Sequence, residues 1–150
     1  MVDLDDNRLQ VSSRFGATTV INNNDGTAVE KIMKMTGSRG VDTAIEAVGV
    51  PASFITCEDI VAPGGIIANI GVHGIKADLH LERLWDRNIA ITTRLVDTVS
   101  TPMLLRAVQS RRIDPKQLIT HRFTLDKIID AYDTFSAAAD TNALKVLIEA

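Results

Sequence analysis

Short apolar, β-branched runs recur along this chain, most of them stopping at an acid or a glycine, and amphipathic stretches of helical period separate them. Val2-Asp3-Leu4 stops at acids, Ala17 to Ile21 is a second run, Val41 to Val48 stops at Gly49, and Ile66 to Ile70 stops at Gly71. Between them, Leu9, Val11 and Phe15 space as the inner face of a helix that starts at Asp6-Asn7-Arg8 and ends at Gly16, where a left-handed residue is expected. Ala28, Val29, Ile32, Met33 and Met35 outline a second helix ending near Gly37 and Gly40. Pro51 opens a third, with Phe54, Ile55, Ile60 and Val61 on its buried side, and Ala62-Pro63-Gly64-Gly65 is expected to turn the chain. Strands that alternate with helices are joined by crossovers, so they pair in parallel, and the right-handedness of such crossovers leaves few topologies. The nearly continuous apolar run Ile66-Ile67-Ala68 suits a strand covered on both faces. The expected architecture is therefore α/β, a doubly wound parallel sheet.

Past Val72 the texture changes. Ala77 to Leu81 alternates like an exposed strand, Glu82 to Trp85 suggests a helical turn, and Asn88 to Val96 reads as a strand rich in Ile and Thr. Ser100-Thr101-Pro102 caps a helix through Val108, and Ile113-Asp114-Pro115 breaks it. Leu118 to Phe123 is an expected strand. Thr124 caps a helix whose Leu125, Ile128, Ile129, Tyr132 and Phe135 share a face, and Ala143 to Ile148 is a closing strand.

Hydrophobic residues make up 45% of the chain, enough for a proper core. A net charge of -3 with interleaved signs offers no basic stripe for nucleic acid and no polybasic anchor for a membrane. Arg111-Arg112, the densest basic spot, reads as a solvated helix end. No apolar run has the length of a membrane span, and Asp3, Asp5 and Asp6 stand where a signal peptide needs basic residues, so the expected location is cytoplasmic. Cys57, the one cysteine, reads as a small packed apolar residue. His73, His80 and His121 lack partners at ligand spacing, so no zinc site is expected from this chain.

Asp3 is the sharpest candidate for chemistry. Two adjacent hydroxyls of an adenosine ribose are donors that one carboxylate accepts together, and nucleotide-binding α/β units place such an acid at a strand tip; helix capping or plain solvation is the other reading. Val48-Gly49 and Gly71-Val72 end neighbouring strands in glycine, where a flat ring can approach the backbone or the chain can simply turn tightly. Arg94, in an otherwise apolar strand, either covers a sheet edge or reaches a cofactor amide or phosphate.

Taken together, these stretches resemble the cofactor-binding half of the medium-chain, zinc-dependent alcohol dehydrogenases. Val2 to Arg8 followed by Phe15-Gly16-Ala17 looks like the second strand and helix of that family's Rossmann-like sheet. Gly40 to Gly49 resembles the fourth strand, Val61 to Val72 the fifth, and Asn88 to Leu95 the sixth. His121-Arg122-Phe123 to Ala150 is similar to the return into the catalytic domain, which divides the chain into a cofactor-binding portion, 1–120, and a returning helix and strand, 121–150.

The resemblance implies NAD as cofactor, with Asp3 selecting it over NADP and Arg8 lying over the adenosine side. It places Val48 and Gly49 beside the adenine and its ribose, and Gly71, Val72, Thr93 and Arg94 near the nicotinamide. The family's first strand, glycine-rich turn and zinc ligands would precede Met1, so the sheet is expected to be truncated and the chain alone to be inactive, without stoichiometric zinc and weak for NAD. The implied substrate of the full-length parent is an alcohol or its aldehyde or ketone. Two other classes compete: a methyltransferase using S-adenosylmethionine, which would end in an antiparallel hairpin strand, and a non-catalytic binding or assembly module. With the central strand missing, the strands at Val2 and Ile45 would stand about 10 Å apart. Direct pairing of the two, a partner chain, or the strand at Ala143 to Ile148 is expected to fill that slot. A homo-oligomer through the strands near Leu79 and Ile91 is also implied.

Overall fold

A computed structural model describes residues 1–95 and 98–150. The chain forms two compact units, one of Asn23–Val96 and one of Met1–Asn22 with Asp97–Ala150.

The first unit holds the main sheet. Its strands β3 (Val41–Glu46), β4 (Val61–Asn69) and β5 (Ala90–Thr93) are all parallel in that order, as the alternation requires. Helix α2 (Ala28–Met35) buries Ala28 and Ile32, and α3 (Pro51–Ile60) buries Phe54, Cys57, Glu58 and Ile60. Val61 and Ile67 of β4 are fully enclosed, and burial of side chains this size contributes about 1.5–3 kcal/mol each. The helix α4 (Leu81–Leu84) adds Leu84 to this core.

In the second unit, β1 (Val2–Asp3) pairs in parallel with β2 (Ile21–Asn22), and α1 (Asp6–Arg14) connects them. Asp5 caps α1 by accepting from the Arg8 N–H at 2.7 Å, and Gly16 beyond its end takes φ +97°. Helix α5 (Thr101–Gln109) follows the expected proline start. The strands β6 (Ile119–Thr124) and β7 (Lys145–Glu149) pair in parallel, with α6 (Ile128–Ser136) and α7 (Ala138–Thr141) between them in sequence.

Several local expectations are corrected. The strand expected over Ala17 to Ile21 shrinks to Ile21–Asn22, because β1 offers only two partners. Phe15 is 46% exposed instead of facing inward. Pro63-Gly64-Gly65 does not turn the chain: β4 runs from Val61 straight through it, absorbing the extra residues as a register shift against β3. Ala77 to His80 is no strand, since buried Glu58 takes the backbone N–H of His80 (3.1 Å) and its ring Nδ1 (2.6 Å), pulling the segment down instead of leaving it to pair. Leu79 therefore lies outside any strand. The strand expected from Asn88 to Val96 is ordered as β5 only over Ala90–Thr93, and Val96 lies outside the described residues. Thr124 makes no side-chain cap; a short 3₁₀ turn leads into α6, whose Leu125-side face, with Ile129, Tyr132 and Phe135, is exposed. Of the ways to fill the central slot, two are absent among the described residues: β1 pairs with β2 and not with β3, and β7 pairs with β6.

Candidate functional site

Asp3 closes β1, and everything that follows it folds back onto its carboxylate. Oδ1 accepts from the backbone N–H of Leu4 (2.8 Å) and Asp5 (3.0 Å) and from Arg8 Nη2 (2.7 Å) and Nε (3.1 Å). Among the described residues Oδ2 takes only Arg8 Nε, at 3.1 Å. Burial alone would raise the Asp3 carboxyl, but the Arg8 side chain and the N–H groups of Asp5 and Leu4 outweigh it and hold the pKa below its ordinary value. The guanidinium of Arg8 is raised in turn, chiefly by its hydrogen bond to Asp3. The two residues that the sequence singled out separately are thus one ion pair, and Oδ2 is its open acceptor.

The other candidates meet at the carboxyl edge of the main sheet. Val48 (69% exposed) and Val72 (76%) follow β3 and β4 and present apolar side chains to solvent. Gly49 has φ +85°, and a Cβ there would overlap the Val72 carbonyl; a Cβ on Gly71 would overlap the Glu46 carboxylate and the Gly49 backbone. Both glycines are demanded by the close approach of these two loops. Thr93 ends β5 with its side chain exposed, and the N–H of Arg94 donates to the Asn69 carbonyl at 3.2 Å.

Three residues that the sequence reading did not select hold this edge together. Glu46, only 1% exposed, accepts through Oε1 from the N–H of Val48 (2.9 Å) and Gly49 (2.8 Å) and from Ser53 Oγ (2.6 Å). His73 Nε2 lies 3.3 Å from Glu46 Oε2, an ion-pair contact without hydrogen-bond alignment, and 2.9 Å from Asn69 Oδ1. Asn69 Nδ2 in turn donates to the Gly71 carbonyl at 3.3 Å. Burial raises the Glu46 carboxyl, but Ser53, the two N–H groups and the nearby His73 together leave its pKa below the usual value. The available signal was an acid at an inward strand position with glycine three residues on and serine seven residues on.

Cys57 is buried, as expected, and its thiol is pushed up to about 11 by that burial and by the negative charges of Glu46 and Glu58, which makes it a poor nucleophile. Among the described residues no group of three or more His, Cys, Asp or Glu is placed to hold a metal ion. The described residues therefore offer no ligand set that fits zinc. No helix among the described residues is long and apolar enough to cross a membrane.

Parallel strands joined by helices place the fold in the Rossmann-like α/β class. Residues 1–110 match the model of the zinc-binding dehydrogenase family, and the chain belongs to that family. It is 51% identical to zinc-dependent alcohol dehydrogenase 2 of Streptococcus pneumonia, solved in its apo form, with a TM-score of 0.95 over 99% of this chain and 43% of that one. An alcohol dehydrogenase of Cupriavidus necator is 33% identical over 99% of this chain and 41% of its own length. An NADP-dependent isopropanol dehydrogenase of Thermoanaerobacter brockii is 36% identical over 73% of this chain and 33% of its own length. The chain thus spans well under half the length of these relatives. The methyltransferase alternative falls with the family match and with the parallel pairing of β7 on β6, where an antiparallel hairpin was its mark.

Proposed function

We propose that this chain is the NAD-binding portion of an alcohol dehydrogenase whose full-length form interconverts an alcohol and its aldehyde or ketone. Family membership sets the class, and the observation that carries the cofactor reading is Asp3: its Oδ2 keeps acceptor capacity for a ribose hydroxyl while Arg8 neutralises the pair. Bound NAD supplies the C4 atom that takes or gives a hydride. The chain's own residues bind and orient it. Asp3 accepts from the adenosine ribose and Arg8 covers the adenosine side. Val48 and Gly49 flank the adenine and its ribose, and Gly71, Val72, Thr93 and Arg94 line the nicotinamide end. Exposed Val48 and Val72 support this, since apolar side chains held at a sheet's carboxyl edge suit flat rings. No metal-dependent step is assigned to these residues. In the same reading residues 121–150 return to the catalytic portion, the protein is cytoplasmic, and the exposed β5 around Ile91 joins two copies in a homo-oligomer.

Isothermal titration with NAD and NADP tests the cofactor assignment. A 2′-phosphate would meet the Asp3 carboxylate, so NAD is expected to bind at least about tenfold tighter, and Asp3→Ala to erase the difference. Equal or better binding of NADP by the unaltered chain would remove Asp3 from this role.

A further inference from the structure

The register of the main sheet ends on one row. Glu46 stands opposite Asn69, and Asn69 opposite Thr93. Beyond that row the β-ladder supplies no further hydrogen bonds, yet the loops that follow must hold fixed backbone positions to meet a ligand. Side chains and carbonyls of the row take over. The Glu46 carbonyl accepts from the N–H of Ile70 (2.8 Å) and Gly71 (3.1 Å), while its carboxylate holds Val48, Gly49 and Ser53. Asn69 holds the Arg94 N–H with its carbonyl and the Gly71 carbonyl with its amide. His73, packed edge-on to Phe54, closes the circuit between Glu46 and Asn69.

A row of apolar side chains would cover the same space without the desolvation cost of a buried carboxylate. What a polar row adds is orientation: the Glu46 carboxylate fixes the loop after β3 through Val48 and Gly49, and the Asn69 amide fixes the loop after β4 through the Gly71 carbonyl. Because Gly49 and Gly71 touch, moving either loop moves the other. We infer that Glu46, His73 and Asn69 act as one positioning unit that sets the loops after β3 and β4 for the nicotinamide cofactor. The inference rests on the cofactor reading above. None of the three needs to touch the cofactor; they act through the backbones of Val48, Gly49 and Gly71.

Two substitutions in the full chain separate this role from simple structural support. In Glu46→Gln the remaining amide oxygen still accepts from Val48, Gly49 and Ser53, but the new amine faces the His73 ring and cuts the link to Asn69. His73→Phe cuts it from the other side while keeping a flat ring against Phe54, and it decides the matter if the first variant does not fold. Both are compared with the unaltered chain by ¹⁵N amide shifts, hydrogen exchange and NAD titration. Expected are shifted, faster-exchanging amides at Gly49 and Gly71, unchanged protection at Ala44 and Ile67 within the ladder, and NAD affinity lower by about tenfold. Unaltered NAD affinity in both variants, or exchange that rises equally in the ladder and at the strand ends, would overturn the inference. Failure of the unaltered chain to bind NAD would instead sink the cofactor reading on which it stands.

Discussion

Asp3 and Glu46 use the same hydrogen-bonding device at two strand ends and reach opposite results. Each carboxylate accepts from two consecutive backbone N–H groups of the loop it begins, Leu4 and Asp5 in one case and Val48 and Gly49 in the other, and each faces a basic side chain, Arg8 or His73. At Asp3 the pair is partly exposed, the Arg8 side chain to 39% and that of Asp3 to 19%, and Oδ2 carries a single hydrogen bond. Glu46 is enclosed, and its contacts reach past its own loop to Ser53 on α3 and His73 after β4. Exposure decides between the two fates. A partly exposed acid can exchange water for a ligand, whereas enclosed Glu46 has exchanged it, through Oε1, for protein donors that lose their acceptor if it is removed.

The comparison is tested most severely by removing Glu46. Glu46→Ala leaves the Val48 and Gly49 N–H groups without their acceptor, while Ser53 Oγ keeps the Val50 carbonyl, and a loss of about 3–5 kcal/mol is expected from urea unfolding at neutral pH. Because the folded pKa lies below the ordinary 4.5, that stabilisation is fully present above about pH 4.5 and is lost as pH falls through the folded value. The gap between the two proteins should therefore narrow in acid. A loss below about 1 kcal/mol, or a gap that does not narrow, would place Glu46 with the solvated acids.

Gly49→Ala comes next. It forces a side chain into φ +85° and against the Val72 carbonyl, so about 2–4 kcal/mol is expected, while Gly74→Ala, with open space around it and no positive φ, should be neutral or gain up to about 1 kcal/mol. Similar thermal midpoints for the two variants would show that the loops after β3 and β4 do not touch as described.

The smallest effect belongs to Asp3→Asn. The amide oxygen keeps the Leu4 and Asp5 contacts, and the lost ion pair with exposed Arg8 is screened, so about 1 kcal/mol or less is expected, shrinking further in high salt. The Asp3 contribution is present above its ordinary pKa of 3.8 and is lost as pH falls through the lower folded value. A loss matching that of Glu46→Ala would erase the distinction between the two acids.

Much of the site was legible because it lies on local patterns. Asp3 at a strand tip, the helix starting at Asp6, the helix starting at Pro51 and the glycines at 49 and 71 all depend on neighbours within a few residues, and period and turn chemistry report those directly. What escaped was long-range. Nothing near Ala77 to His80 announces that Glu58, more than twenty residues earlier, will seize its backbone, so alternation was read as a strand. Nothing near Pro63-Gly64-Gly65 says that β3 will extend far enough to carry β4 through it.

Sequence alone determined the alternation of strands and helices, their parallel pairing and the resemblance to zinc-dependent dehydrogenases, since apolar periodicity and glycine position are properties of neighbouring residues. Only the tertiary structure decided that Asp3 and Arg8 are one pair, and that Glu46, His73 and Asn69 share a buried circuit. Burial is the reason. Whether an acid is solvated or enclosed depends on which distant segments pack over it, and that packing is what turned Glu46 from an ordinary strand residue into the one that ties two loops together.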